Sequence, residues 1–350
     1  MAMLQKVRDL TIYRDARFYC GPGPSAAVLE EDTVVLVFRR CRSWLAYGFV
    51  RHFHPHTEAC VIRSTDGGET WSEPVVFGSG GCTNQNLRRL SDGTLLCDAH
   101  QWELLPNSVA EAWQGRVGVS AGREWPSALV GTYALRSTDG GGTWDGPFWV
   151  QDIPGIEPLA EGWVSPVAVR NPVEEFPDGT VLLPVYTVEH PNRSLLVAST
   201  DGGRTWTYRG EIARSPDGKI GFNETSVHRC PSGKVVAFMR SADAEGWLYT
   251  AVSRDEGGTW SPPKREDCWG HPFNAATLPS GNVLLCYGYR REPFGVRARL
   301  LSPECEDIGT APELVLRDDG VQGDLGYPDM TVRKDLSDAR QAAGRWWWGI

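Results

Sequence analysis

Four polar side chains interrupt an otherwise apolar pattern and are the first candidates for chemistry. Glu224 lies in segment 221–227, and Arg240 directly follows the apolar run 235–239. A run of that composition is typical of a buried strand, which delivers the residue after it to one particular end of a sheet. Glu224, at the head of one strand, and Arg240, at the end of the next, are therefore predicted to lie at the same end.

The other two candidates lie in the last fifth of the chain. Arg297 shares one face of a predicted strand with Arg299, because side chains two residues apart in a strand point the same way. Tyr327 stands between Gly326 and Pro328, so that a stiff turn rather than core packing holds its phenol. A carboxyl, a guanidinium and a phenol are the groups that acid–base, anion-binding and nucleophilic chemistry require.

A repeated phrase shows which elements must position these residues. The phrase S-x-D-x-G-x-T-W begins at Ser64, Ser137, Ser199 and Ser253, and an eroded copy begins at Ser302. Copies recur at about the length of a four-stranded blade with its loops. We therefore predict an all-β fold, a six-bladed β-propeller of four-stranded antiparallel blades, forming a single domain over residues 1–350. Within each copy the Asp and Gly form a hairpin turn and the Trp fits a seam between blades, which is an architectural role.

Composition limits the partners. The 350 residues carry a formal net charge of −9 without a block of Lys or Arg, which argues against nucleic acid and membrane surfaces as partners. Nine Cys occur without a C-x-x-C pair and are interpreted as reduced thiols. The start has no apolar signal core, so we expect a cytoplasmic protein. No cofactor and no metal site are predicted.

The C-terminal end departs from the repeat. After Pro328 the chain is charged and unpatterned and ends in a run of three Trp at 346–348. We expect the last blade to be atypical or incomplete after about residue 330. Our hypothesis is that the natural end is missing or altered and that the ring closes through an N-terminal strand around residues 11–13.

Together, these features resemble the sialidase (neuraminidase) superfamily, whose Asp-boxes match the four phrases over about residues 25–330. The resemblance implies that Tyr327 is a nucleophile polarised by Glu224. It further implies that Arg240 and Arg297 belong to an arginine clamp for the substrate carboxylate. A neutral phenol suits an anomeric centre that carries a carboxylate, because it repels that carboxylate less than another carboxylate would.

Two departures from the family pattern concern the clamp and the acid. No Arg occurs in segment 21–25, where the family has its first arginine, and no Asp occurs between Arg40 and Ser64, where the family has its acid/base. Segment 51–58 instead contains His52, His54 and His56. One of them, with His54 as our choice, replaces the missing Asp, because imidazole titrates near neutral pH. The alternatives are a zinc site and ordinary loop residues.

Further substrate-binding candidates are polar residues near predicted strand ends: Arg40, Asn84 and Arg170. The predicted function that accounts for all of these residues is that of an exo-acting glycoside hydrolase, which cleaves a terminal acidic sugar, sialic acid or a related one, from a glycan. Two alternatives remain open. One is a polysaccharide lyase or hydrolase acting on a uronic acid or deoxysugar glycan, and the other is a glycan-binding propeller without catalysis.

Overall fold

The fold was examined in a computed structural model of the chain. It describes all residues except 1–5, 7, 22, 31, 45–53, 122–123, 242–245, 322–325 and 333–350. The described residues form five antiparallel β-sheets. Among them, no helix has the length and apolar character needed to cross a membrane.

The first two sheets are formed by residues 18–149. The strands of the first sheet are β1 (Phe18–Cys20), β2 (Ser25–Glu30), β3 (Thr33–Arg42), β4 (Glu58–Ser64) and β5 (Val75–Ser79). The strands of the second sheet are β6 (Cys82–Arg89), β7 (Leu95–Leu104), β8 (Val119–Ser120), β9 (Ser127–Ser137) and β10 (Asp145–Trp149). A short helix, α1 (Asn107–Ala112), lies between β7 and β8.

Three more sheets follow along the chain. The third contains β11 (Val167–Ala168), β12 (Glu174–Glu175), β13 (Val181–Thr187), β14 (Ser194–Ser199) and β15 (Thr207–Ala213). The fourth contains β16 (Phe222–Arg229), β17 (Val235–Ser241), β18 (Trp247–Ser253) and β19 (Lys264–Trp269). The fifth contains β20 (Phe273–Thr277), β21 (Val283–Tyr289), β22 (Gly295–Leu301) and β23 (Glu313–Arg317).

In every sheet, four strand positions lie side by side in chain order. Strands β1 and β2 share the first position of the first sheet, and β11 and β12 share that of the third. Neighbouring sheets pack through their first strands, for example β2 against β6 and β16 against β20. This repeated radial packing is a β-propeller, as predicted.

Strand direction defines two ends of this propeller. Because neighbouring strands are antiparallel, the first strands begin, and the second strands end, at the same end of the ring. We call this end the site end. The hairpins that join third to fourth strands lie at the opposite end, and these hairpins carry the Asp-boxes.

Both faces of a middle blade are buried, which explains the apolar runs in its strands. Along β13, Leu183 packs with Leu96 of the second sheet, whereas the neighbouring Leu182 packs with Val235 of the fourth sheet. Successive side chains of a strand point to opposite faces, so one strand serves two seams. Burying each such side chain contributes about 1.5–3 kcal/mol, and the seams supply much of the stability.

The Asp-boxes form as predicted from their sequence. In the third box, Ser199 Oγ donates to Asp201 Oδ1 over 2.7 Å and accepts from the backbone N–H of Gly203 over 2.7 Å. Thr205 donates to Asp201 through its backbone N–H and its hydroxyl, over 2.9 and 2.7 Å. The eroded fifth copy keeps the first contact, because Ser302 Oγ donates to Asp307 Oδ1 over 2.8 Å.

These hairpins make the protein's stability sensitive to acid. Although partial burial opposes it, hydrogen bonds from Thr205 lower the pKa of Asp201 to about 2. Hydrogen bonds from Thr259 likewise lower the pKa of Asp255 to about 2. Since an unfolded Asp has a pKa of about 3.9, the unfolded chain binds more protons between pH 4 and 2. The stabilisation is therefore complete above pH 4 and is lost as the pH falls toward 2.

Thermal unfolding of Asp255→Ala measures this effect. We expect its Tm to lie below that of the wild type at pH 7, and the difference to shrink steadily as the pH falls from 4 toward 2. The matched control is Asp318→Ala, because the exposed Asp318 side chain makes no hydrogen bond to the described residues. A Tm difference that stays constant from pH 7 to pH 3 would contradict the assignment.

The predicted count of six blades is not confirmed, because the described residues form five sheets. Between the fifth and the first sheet lies segment 326–332. Asp329 accepts hydrogen bonds from Ser25 of the first sheet and, over 2.9 Å, from Asn274 of the fifth. Met330 packs against the apolar face of the fifth sheet. The part of the last blade predicted to be atypical, after about residue 330, falls mostly outside the described residues.

The predicted closing strand at residues 11–13 is not a strand in the structure. The segment nevertheless covers the first sheet. Ile12 and Tyr13 pack on its apolar cluster, and the Tyr13 ring lies 5.0 Å from that of Phe38. The N-terminal segment therefore contributes side chains, without strand pairing, to this part of the ring.

Candidate active site

The predicted pair of Glu224 and Arg240 meets at the site end. In the β16–β17 hairpin, Asn223 pairs with Arg240 and Ser226 pairs with Phe238, so a β-bulge places two residues of β16 opposite one of β17. Glu224 lies in this bulge with a φ of 44°, a conformation uncommon outside glycine. Such bulges re-aim side chains next to functional sites.

The Glu224 carboxyl is buried and ionised. Arg240 Nη1 donates to its Oε2 over 2.6 Å, and only 8% of Glu224 is exposed. Burial alone would raise the pKa of Glu224, but the charges of Arg240 and Arg170 hold it below its usual value. Glu224 is therefore a carboxylate at neutral pH, able to accept a proton.

Tyr327 lies between two arginines. The guanidinium carbons of Arg170 and Arg290 lie 4.8 and 4.7 Å from its ring centroid, within the range of cation–π attraction. The ring is buried, with 6% exposed. Two positive charges against a phenol stabilise negative charge that develops on its oxygen.

Arg170 has two N–H donor groups without a hydrogen-bond partner in the described part of the structure. Its residue is 2% exposed, and its Nη1 donates to Asn86 Oδ1 over 3.2 Å. Its Nε and Nη2 have no hydrogen-bond partner among the described residues. Burial lowers the pKa of this guanidinium, opposed by the charge of Glu224. A buried cation with unused donors is costly in the free protein and points to an anionic ligand.

A buried polar chain sets the orientation of Arg170. Asn86 Nδ2 donates to Asp98 Oδ1 over 2.5 Å, which leaves Asn86 Oδ1 facing the guanidinium. Asp98 is fully buried, and this burial raises the pKa of its carboxyl well above the usual value. Beside it, burial lowers the pKa of His100 to about 3, so its imidazole is neutral. His100 Nδ1 lies 3.2 Å from the Val169 carbonyl oxygen.

With this geometry established, comparison with known proteins gives the family. The sequence model described as "BNR repeat-like domain" matches residues 115–338, and that of the "BNR/Asp-box repeat" matches residues 62–73. The chain belongs to the BNR-repeat family. Its likeness to sialidases places this BNR-repeat protein in the sialidase superfamily, as the sequence predicted.

Individual relatives agree with this assignment. The BNR-repeat protein is 30% identical over 224 residues to "Sialidase" of Micromonospora viridifaciens, covering 62% of this chain and 33% of that protein. A Dyadobacter fermentans protein of unknown function is 36% identical, with a TM-score of 0.85 over 93% of this chain and 90% of that one. "Hadza microbial sialidase Hz136" is 19% identical, with a TM-score of 0.60 over 85% and 58%, and shows the fold. The chain spans about a third of the length of the curated sialidases it matches.

In this BNR-repeat protein, two predicted arginines have other partners. Arg297 lies on β22, where its Nη1 donates to the Arg317 carbonyl over 2.5 Å and its Nε lies 3.6 Å from Glu313 Oε1. Its described contacts are thus with the outer strand and with the Tyr289 ring, whose centroid lies 4.5 Å from its guanidinium carbon, rather than with Glu224 or Tyr327. Arg290, which follows β21, is the arginine of this sheet that contacts Tyr327. Arg290 directly follows the second strand β21, which ends at the site end, whereas Arg297 lies two residues inside the third strand β22.

Arg40 is likewise engaged away from the cluster. Its Nε donates to Glu58 over 2.7 Å and its Nη1 to the Tyr13 hydroxyl over 2.8 Å. The preceding residue, Arg39, points the opposite way and is 2% exposed. Burial lowers the pKa of Arg39, opposed first by the charge of Tyr19. Arg39 is therefore a buried cation on the face of β3 opposite to Arg40, and we count it with the cluster.

Asn84 occupies in the second sheet the place that Glu224 has in the fourth. Its φ is 57°, and the β6–β7 pairing shows the same bulge between Thr83 and Asn86. Asn84 Nδ2 donates to the Val169 carbonyl over 3.1 Å, which links the second and third sheets beside Arg170.

His54 lies in the loop between β3 and β4, which is at the site end. It is 4% exposed, and its ring centroid lies 4.5 Å from that of Trp125. Its Nδ1 accepts from the His56 backbone N–H over 3.0 Å, while its Nε2 has no partner among the described residues. Burial, and then the charge of His56, lower the pKa of His54. The structure does not describe His52, and its described residues contain no group of three or more metal-ligating side chains.

Sequence reasoning missed three members of the cluster: Arg39, Tyr186 and Arg290. Burial raises the pKa of Tyr186, and the charge of Glu224 raises it further, which places this phenol beside the carboxylate. Arg290 carried a usable signal, because it follows the apolar run of β21 as Arg240 follows that of β17. Arg39 carried the same signal, because it directly follows the apolar run 34–38, but Arg40 stands beside it; Tyr186 carried none, since it continues the apolar pattern of its strand.

Proposed function

We propose that this BNR-repeat protein is an exo-acting glycoside hydrolase that removes a terminal acidic sugar, sialic acid or a related one, from a glycan. The observation that carries the proposal is the cluster around Tyr327. The phenol lies between the guanidiniums of Arg170 and Arg290, and the ionised Glu224, paired with Arg240, belongs to the same cluster. The sialidases similar to this chain support a glycan as the substrate.

The reaction follows from the groups present. Tyr327 Oη attacks the anomeric carbon while Glu224 accepts the phenolic proton, and the bond to the leaving oxygen breaks. His54, protonated, gives its proton to that oxygen. Water, deprotonated by His54, then attacks the anomeric carbon of the glycosyl–tyrosine. The phenoxide leaves and recovers its proton from Glu224, so the enzyme returns to its starting state.

The preference for an acidic sugar rests on the arginines. A carboxylate matches the fork that Arg170 Nε and Nη2 present, and these donors have no partner in the described part of the protein. Arg240 and Arg290 add positive charge to the same cluster. The clamp in this proposal is therefore Arg170, Arg240 and Arg290, and it replaces the predicted clamp that contained Arg297.

His54 gives the proposal a pH dependence. A general acid must be protonated in the free enzyme, and burial lowers the pKa of His54 below about 6.5. We therefore expect kcat/KM to fall as the pH rises through the His54 pKa, with an acidic optimum. His54→Ala is expected to lower kcat by about 10²–10⁴-fold for a natural glycoside and to remove this limb of the profile.

The leaving group provides a control for this prediction. A 4-methylumbelliferyl glycoside needs less protonation of its leaving oxygen, so His54→Ala is expected to affect it less. His56→Ala is the matched variant, because it keeps the backbone N–H that donates to His54; it should retain the falling limb of the pH profile and move it only to higher pH, since the charge of His56 lowers the His54 pKa. Equal losses for both substrates, or an unchanged pH profile, would remove His54 from this role.

The proposal as a whole is tested with fluorogenic glycosides. We expect the protein to hydrolyse the 4-methylumbelliferyl glycoside of sialic acid, and not those of rhamnose or arabinose. Turnover of a uronic acid glycoside alone would support the arginine clamp and identify a different acidic sugar as the substrate. Turnover of neutral sugars alone would contradict the proposed function. Tight binding of an acidic glycan with no product would identify a glycan-binding propeller.

A second candidate function is a polysaccharide lyase for a uronic acid glycan, and the lowered pKa of His54 favours it. A neutral imidazole accepts the proton from the carbon next to the carboxylate, the bond from the neighbouring carbon to the glycosidic oxygen breaks, and the imidazolium gives its proton to the departing oxygen. The product then contains a conjugated double bond. An absorbance rise in the near ultraviolet on a uronic acid polysaccharide would separate this reaction from hydrolysis.

A further inference from the structure

Beside the cluster lies a second group of residues that the reaction does not use. Trp247 begins β18, Trp269 ends β19 and Tyr289 ends β21, so all three lie at the site end of the fourth and fifth sheets. Together with Arg265 and Arg291 they are called the shelf. Arg291 directly follows Arg290, whose guanidinium contacts the Tyr327 ring. The shelf therefore continues outward from the position of the terminal sugar.

In the shelf, guanidinium groups are stacked on aromatic rings. The guanidinium carbon of Arg265 lies 4.1 Å from the Trp247 ring centroid, and that of Arg291 lies 3.9 Å from the Trp269 ring centroid. The rings of Trp269 and Tyr289 meet edge-on, with centroids 5.2 Å apart. Stacking fixes the plane of a guanidinium while its N–H edge remains available for hydrogen bonds.

These two guanidiniums have no anionic partner in the part of the chain that the structure describes. Neither Arg265 nor Arg291 forms an ion pair or a side-chain hydrogen bond there, and both are exposed. By contrast, Arg240 pairs with Glu224 and Arg317 pairs with Asp319. The charge of both guanidiniums is therefore open to an anionic ligand.

We propose that the shelf is a subsite for the second sugar of the substrate and that this sugar also carries a carboxylate. The stacked guanidiniums present N–H edges that match a carboxylate in two parallel hydrogen bonds. The half-buried rings of Trp247 and Trp269 hold these edges in place at low entropic cost. The inference rests on the proposed function, because the terminal sugar must occupy the cluster around Tyr327. The preferred substrate is then an acidic oligosaccharide.

Calorimetric titration of a catalytically disabled protein tests the subsite. In the Tyr327→Phe background, we expect a trimer of α2,8-linked sialic acid to bind at least about tenfold more tightly than 3′-sialyllactose, whose second sugar is neutral. Arg291→Ala and Arg265→Ala should each remove most of this advantage and leave binding of 3′-sialyllactose unchanged. Arg291→Lys, which keeps the charge and loses the fork, should recover only part of it.

Controls keep this result interpretable. Arg254→Ala removes an exposed arginine from the Asp-box at the opposite end and should leave the trimer preference intact. Circular dichroism and Tm verify the fold of each variant, and Glu224→Gln provides a second disabled background. An equal affinity for the trimer and for 3′-sialyllactose overturns the subsite, as does a preference that survives Arg291→Ala.

Failure of the subsite can be told from failure of the proposed function. The same titrations are repeated with a galacturonic acid trimer and with maltotriose, which is a neutral trimer. Their outcome does not depend on whether the protein binds sialic acid. A preference for the galacturonic acid trimer that disappears in Arg291→Ala supports the shelf even if no sialoside binds. Binding of sialosides without any effect of Arg291→Ala or Arg265→Ala supports the proposed function and removes the shelf.

Discussion

Tyr327→Phe is expected to lower kcat by about 10³-fold or more while KM for the acidic glycoside changes little. The substitution removes the oxygen that attacks the anomeric carbon and leaves the aromatic ring between Arg170 and Arg290. The anion clamp therefore stays intact, and the loss falls on the chemical step. Initial rates with a fluorogenic acidic glycoside measure both parameters.

A covalent trap strengthens this test. A fluorinated sialic acid that reacts with the nucleophile and hydrolyses slowly should add its glycosyl mass to the peptide containing Tyr327, and the adduct should be absent from Tyr327→Phe. Tyr208→Phe is the matched control, because Tyr208 lies on the outer strand β15 with a third of its surface exposed. An adduct on another residue, or full kcat in Tyr327→Phe, would contradict the assignment.

Arg170→Met is expected to raise KM for an acidic glycoside by about 30-fold or more, because it removes the buried donors that meet the carboxylate. Its effect on stability should have the opposite sign to an ordinary core substitution. In the free protein, two donors of Arg170 are unsatisfied at a site that is 2% exposed, so an apolar side chain of similar length removes two unpaired buried N–H groups. We expect the Tm without ligand to stay equal or to rise.

Arg297 provides the matched control for this clamp. Its residue is 4% exposed, and its partners are the Tyr289 ring and, on the outer strand, Glu313 and the Arg317 carbonyl. Arg297→Ala should therefore lower the Tm and leave KM within about threefold of the wild type. A large rise in KM for Arg297→Ala with none for Arg170→Met would contradict the clamp proposed from the contacts. It would support the clamp predicted from the sequence, which contains Arg297.

The fold could be predicted because its signal is local. Each Asp-box contains both partners of its own hydrogen bonds, as Ser199 and Asp201 show, so a short phrase specifies a hairpin wherever it occurs. The pairing of Glu224 with Arg240 could also be predicted, because one hairpin joins them. The number of blades could not be predicted, since the first and last parts of the ring meet through contacts such as that between Ser25 and Asp329, which lie far apart in the chain.

The sequence leaves several choices at the site undecided. Arg39 and Arg40 are neighbours on β3, and the sequence does not say which of them faces the cluster, because a strand buried on both faces has no apolar–polar alternation. The choice between Arg290 and Arg297 depends on the length of the loop after β21. Arg170 takes its role from Asn86 and Asp98 of another sheet. Contacts between blades thus determine which of these side chains reach the site.

The paired bulges at Asn84 and Glu224 have a consequence for how this architecture changes over time. Both give a single residue a left-handed backbone and present its side chain at the mouth of the ring, yet one holds an amide and the other a carboxylate. The β-bulge therefore accepts side chains of different chemistry at the same position of a blade. A lineage of such proteins can exchange an amide for an acid there by one substitution, at position 84 with loss of the hydrogen bond to the Val169 carbonyl. New substrates are then reached by small mutational steps on an unchanged scaffold.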